Sequence, residues 1–181
     1  KKNQRKRVSK LLSMPKEKKK KWYYKRLETH KKNGTTMFGG GYDPHKYHNY
    51  HSKIGDKFCK ELSDMMKGYT VFFGDSEYMF RGDKTVNYHI DFYIKELNVG
   101  VEFYGNYWHA NPLLYESDEE INYFGTKMFA KEVWQKDESR EDFMSKKYGI
   151  KFINVWESDY ESDSKKTLLD IFEKIRSISN E

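Results

Sequence analysis

The chain predicts an α/β fold, a mixed sheet flanked by helices in the order α-β-β-β-α-β-α. Three observations carry this expectation. Residues 86–94, VNYHIDFYI, alternate apolar and polar side chains with the period of a strand. Residues 99–105, VGVEFYG, follow a short turn and read as a neighbouring strand. Residues 128–147 have helical spacing and lead through Gly149 into the apolar run IKFINVWE at 150–157. A helix between two strands is the usual crossover within one sheet.

The elements follow in order. Residues 1–51 read as a basic tail and a Gly-rich loop, and residues 52–181 as the folded domain. The tail alternates runs of cations with Trp22, Tyr23 and Tyr24. The loop holds Gly39-Gly40-Gly41 and three histidines, His45, His48 and His51, spaced by threes. A structural zinc site there is conceivable, but no cysteine pair accompanies the histidines, and a polar loop is the simpler reading. Ile54, Phe58, Leu62 and Met65 lie on one face of a helix over 52–66, with Ser52 as N-cap and Gly68 beyond its end. YTVFF at 69–73 reads as a short strand, and EYMF at 77–80 pairs with 86–94 as a hairpin. Val86, Tyr88, Ile90, Phe92 and Ile94 should share one face, and Asn87, His89, Asp91 and Tyr93 the other. Residues 113–127 read as a loop. The crossover helix spans 128–147 with Gly149 as its C-cap, and a last helix covers 164–178.

Composition bounds the function. With 17% aromatic residues, the core is expected to rest on large rings. Cys59 is the single cysteine, so no internal disulfide is possible and a reducing compartment is expected. No apolar run reaches the length of a membrane-spanning helix, and the basic N-terminus lacks the apolar segment of a secretory signal. The start at KKNQRKR, without Met, suggests a trimmed or partly ordered product. Residues 1–32 hold 15 lysines and arginines against two acids, so the net charge of +6 belongs to that segment and the remainder is mildly acidic. A basic tail on an acidic body suggests a polyanionic partner, with nucleic acid favoured over an anionic membrane. Lys18, Lys19, Lys20 and Lys21 are the densest candidates for phosphate contact. If about six tail cations met phosphates, the log–log salt slope of affinity would approach about −5.

The chemistry concentrates around VGVEFYGNYWHANP, residues 99–112. Asp91 lies mid-strand among apolar residues and Glu102 lies on the next strand. Burying two carboxylates side by side is costly unless a cation or protons compensate. Mg²⁺ or Mn²⁺ is the natural solution, because such ions take one or two carboxylates and accept phosphate oxygens. Glu77, on the preceding strand, is a candidate third acid. His109, just past the strand end, is placed to act as general base or acid, with Asp137 to fix its tautomer. Lys136 and Arg140 are candidates for phosphate, and Trp108 for packing as a wedge or stacking on a base. Taken singly, each has a plainer explanation: a capped strand acid, a core Trp, a solvated helical acid. Their co-occurrence on adjacent elements is the signal.

The segments HIDFYIKELNVGVEFYGNYWHANPLLY, WQKDESR and YGIKFINVWESD together resemble phage-type endonucleases related to the very-short-patch-repair nicking endonuclease. That group includes the homing endonucleases whose site is written Glu-Asp-x-His-Asp. The resemblance covers roughly residues 52–160. It implies a restriction-endonuclease-like core and a metal-dependent endonuclease of double-stranded DNA, of phage or mobile-element homing type and working in a bacterial cytoplasm. A mismatch-nicking enzyme, or a nuclease-fold DNA-binding module without activity, are the alternatives. Asp91 then matches the metal-binding aspartate, His109 the catalytic histidine and Asp137 its partner. The first acid is open between Asp56, Glu61 and Glu77. Tyr104 stands where the commoner nuclease motif has its lysine, so His109 would take that lysine's role.

Overall fold

The computed structural model describes residues 52–82, 86–123 and 125–179, with residues 14, 15, 17, 18, 21 and 25 before them. The expectations for Lys19, Lys20, His45, His48 and His51 therefore lie outside the described residues.

Helix α1 (Lys53–Met65) starts where Ser52 Oγ accepts a hydrogen bond from Gly55 N at 2.9 Å, and it buries Phe58, Cys59 and Leu62. Strands β1 (Val71–Arg81), β2 (Asn87–Ile94) and β3 (Val99–Tyr104) follow. The pairs β1–β2 and β2–β3 are antiparallel. A short hairpin, β4 (Glu120–Tyr123) and β5 (Thr126–Phe129), leads into helix α2 (Ala130–Tyr148). Strand β6 (Lys151–Trp156) then pairs in parallel with β3. Helices α3 (Glu157–Ser162) and α4 (Ser164–Ser179) close the described chain. The main sheet has the order β1-β2-β3-β6. It is the mixed, helix-flanked α/β sheet that the periodicities predict.

Burial explains the layering. All six residues of β3 are buried, as befits a central strand covered on both faces. On one face, Phe58 and Leu62 of α1 and Ile171 and Ile175 of α4 pack with Phe92, Ile94, Val99, Val101, Ile153 and Val155. On the other, Met144 of α2 packs with Phe80, Ile90, Tyr93 and Ile150. Gly100 lets these layers close. A Cβ there would stand 3.0 Å from a Phe152 ring carbon and 3.2 Å from two Ile90 carbons. Gly149 ends α2 in the left-handed conformation, with φ 69°.

Four expectations need correction. YTVFF and EYMF belong to one strand, β1, whose pairing with β2 shifts register between Phe73 and Tyr78. The irregularity lies opposite Asp91 and splits β2, so Tyr88 and Ile90 pack on the α2 side while Phe92 and Ile94 pack under α1 and α4. Residues 113–127 are not all loop, because they contain β4 and the first half of β5. Met128 and Phe129 end β5 rather than begin the helix, and α2 starts at Ala130. Ile121 is buried with Val133 and Ala130, and this packing makes so short a hairpin hold.

Candidate functional site

The site is built at the ends of β2 and β3, under one face of α2. The β2–β3 ladder stops at the pair Phe92 and Val101. One residue further, the Asp91 side chain replaces the ladder, with Oδ2 accepting from Phe103 N at 2.8 Å. The Asp91 carbonyl accepts from Cys59 Sγ of α1 at 3.5 Å. Alternation along β3 sends Phe103 to the core beside Phe58 and Tyr160. Glu102 and Tyr104 share the opposite face, toward α2.

Helix α2 meets that face with three side chains one turn apart, Asp137, Arg140 and Glu141, at helical spacing i, i+3 and i+4. Asp137 Oδ2 lies 2.7 Å from His109 Nδ1. Arg140 Nη2 lies 2.9 Å from Glu102 Oε1, and its Nη1 donates to the His89 carbonyl at 3.1 Å. The Arg140 contact sets a cation against a carboxylate whose residue is only 4% exposed. Glu141 accepts from the Tyr104 hydroxyl, and its other oxygen accepts from Asn154 Nδ2 at 3.1 Å.

His109 sits in a pinned loop. Its backbone N donates to Gly105 O at 3.1 Å. The imidazole lies flat against the Tyr104 ring, with centroids 4.1 Å apart and planes at 3°. Asn111, only 1% exposed, donates to Asn106 Oδ1 at 2.7 Å and to Ser158 Oγ at 3.1 Å, and accepts from Leu113 N. The buried Glu157 carboxylate accepts from Asn106 N at 3.0 Å. Trp134 Nε1 donates to Ala110 O at 2.8 Å.

The electrostatics are those of crowded acids. Burial pushes Glu102 up to about 8, with Arg140 opposing and Asp91 adding to the rise. Burial, then Asp91 and Asp56, push Glu77 up to about 8. Burial also raises the Cys59 thiol, helped by Asp91, Asp56, Glu77 and Glu102. Asp56 of α1, Glu77 of β1, Asp91 of β2 and Glu102 of β3 thus all bear on the Cys59 thiol, and Asp91 bears on both Glu77 and Glu102. Glu77 Oε2 stands 3.6 Å from His89 Nδ1. Burial works against the Arg140 charge, but Glu102, Tyr104 and Asp91 outweigh it and keep it protonated.

The expected site residues fall into two groups. Asp91, Glu102, His109, Asp137 and Arg140 meet around one face of α2, and Glu77 lies within electrostatic reach of Asp91 and Asp56. Glu61 is drawn elsewhere, accepting from the Tyr160 hydroxyl at 2.6 Å. Lys136 lies over the Tyr123 ring at 4.7 Å, toward the β4–β5 hairpin. Trp108 is half-buried, edge-on to Tyr107 at 5.1 Å. Lys18 and Lys21 are exposed. Sequence reasoning does not single out Tyr104, Glu141, Asn154, Asn106, Asn111 or Glu157 as site residues. The spacing of Asp137, Arg140 and Glu141 is the readable signal for part of this set.

A divalent cation suits the donor chemistry, since carboxylates are hard oxygen ligands and burial, with Asp91 adding, holds Glu77 and Glu102 in their protonated range. Among the described residues, no three His, Cys, Asp or Glu side chains converge tightly enough to hold an ion as they stand. No described helix is long and apolar enough to cross a membrane, and Cys59 is a buried free thiol. Comparison with protein-family models, curated proteins and solved structures gave no match.

Proposed function

We propose that the chain is a metal-dependent endonuclease that hydrolyses phosphodiester bonds of double-stranded DNA, of the phage or mobile-element homing type. The observation that carries this reading is the His109–Asp137 pair, 2.7 Å apart, on the same turn of α2 that meets buried Glu102 through Arg140. With Nδ1–H directed at Asp137, Nε2 keeps its lone pair and is the atom that takes a proton from attacking water. Asp137 fixes that tautomer and stabilises the imidazolium that results. Arg140, held by Glu102 and the His89 carbonyl, presents a permanent cation to a phosphate. Asp91 and Glu102, with Glu77 as a third acid, would hold Mg²⁺ or Mn²⁺, which supplies polarisation of the phosphoryl oxygen and a more acidic water. The basic tail adds affinity that does not depend on sequence.

One observation favours a second reading, a nuclease-fold DNA-binding module without activity: Arg140 already neutralises Glu102. Supercoiled plasmid separates the two. Nicking or linearisation in MgCl₂, lost in EDTA and in His109→Ala, supports the endonuclease. DNA binding that is indifferent to metal, with no cleavage, supports the module. A preference for a defined mismatch would instead mark a repair nickase.

A further inference from the structure

We propose that Tyr104 is a positioning residue for His109, acting as a plate whose tilt is set through Glu141 and Asn154. Its effect on cleavage rests on the endonuclease reading, whereas its effect on the imidazole does not.

A single hydrogen bond cannot fix a ring. With only the Nδ1 contact to Asp137, the imidazole could turn about the Nδ1–Oδ2 line and sweep Nε2 through an arc. The Tyr104 ring removes that freedom, because at 4.1 Å and 3° it leaves one orientation in full contact. Tyr104 is itself held on two sides. Trp156 packs against it edge-on, with centroids 5.2 Å apart and planes at 75°. Its hydroxyl donates to Glu141, whose second oxygen is occupied by Asn154. Asn154 lies on β6 directly opposite Glu102 in the parallel register, so the tether runs back into the central sheet. Asp137 and Glu141 are one turn apart on α2, so one helix sets both the direction of the imidazole and the tilt of its support. The plate has an electrostatic role too. When His109 gains a proton it becomes a cation over an aromatic face, and a phenol that donates to a carboxylate is a richer π-donor.

Plain core packing would make Tyr104 matter for stability alone. Three variants separate the roles, each checked for folding by circular dichroism: Tyr104→Phe, Tyr104→Leu and Glu141→Gln. The readouts are ¹³C relaxation of the His109 ring carbons, which reports how freely the imidazole turns about its Asp137 contact, and kcat and KM for plasmid cleavage. Tyr104→Leu should free the ring and lower kcat by about 10- to 100-fold with KM unchanged. Tyr104→Phe keeps the stack and loses the tether, so its ring mobility and kcat should fall between those of wild type and Tyr104→Leu, and Glu141→Gln should behave like Tyr104→Phe. Wild-type ring mobility in Tyr104→Leu would overturn the proposal. Should Tyr104→Leu not fold, wild-type ring mobility in both Tyr104→Phe and Glu141→Gln overturns it instead. If the wild-type protein does not cut DNA at all, the endonuclease reading falls, and ring mobility alone decides the positioning role.

Discussion

Replacing Glu77 with Gln should remove a pH dependence from the folding stability of the metal-free protein. The carboxyl side chain is only 10% exposed and is held up to about 8, against an ordinary value of 4.5, by burial and by Asp91 and Asp56. The folded state therefore binds more protons than the unfolded state between those values. Stability is full below about 4.5 and falls as pH rises toward about 8, where the folded group finally ionises. A fully linked proton costs at most about 1.4 kcal/mol per pH unit. Water reaches part of this carboxyl, so about half that slope is expected, or about 2 kcal/mol between about pH 5 and about pH 8. Urea titrations in EDTA across that range would measure it. Glu102 contributes its own fall in both proteins, so the quantity to compare is the difference in slope. A Glu77→Gln variant whose stability falls as steeply as wild type would refute the coupling of these acids.

Arg140→Met should destabilise the fold by about 3–5 kcal/mol at high pH, because it leaves Glu102 buried beside no cation. The loss should shrink at low pH, where Glu102 takes a proton instead, and urea unfolding at two pH values would show this. Asn111→Ala removes the two contacts made by Nδ2 and the acceptor for Leu113 N, at about 1–3 kcal/mol in denaturant unfolding. Hydrogen exchange should quicken at the Leu113 amide in the same variant. Gly100→Ala forces a methyl against Phe152 and Ile90 and should cost about 1–3 kcal/mol in thermal or urea melts.

The elements with long, clean periodicity are legible from the residues alone. Strands β3 and β6 are nearly continuous apolar runs, and α1 carries its stripe at regular spacing. The β4–β5 hairpin is not legible, because four-residue strands give two alternations at most and Gly125 marks the turn only once the pairing is known. The facing of β2 escapes for a different reason. The register shift opposite Asp91 breaks the period of two at the residue of most interest. His109 and Asp137 can be nominated by type, but their meeting depends on the rotation of α2, which Met144 and Val133 set by burial. Tyr104 stands out in the sequence only by way of the nuclease resemblance, as a tyrosine where that motif would have a lysine. Its part emerges only from a ring-to-ring distance, which no spacing encodes.

The three-residue face of α2 has a consequence for how this protein can change. Asp137, Arg140 and Glu141 reach three different partners from one helical turn. Inserting a single residue upstream in the helix would turn that face by about 100°. His109, Glu102 and Tyr104 would then lose their contacts together. Length variation is thus barred from the helix between Ala130 and Asp137, while the β4–β5 turn, outside this lock, is free to grow or shrink. Descendants of this chain should differ in hairpin length and agree in helix phase.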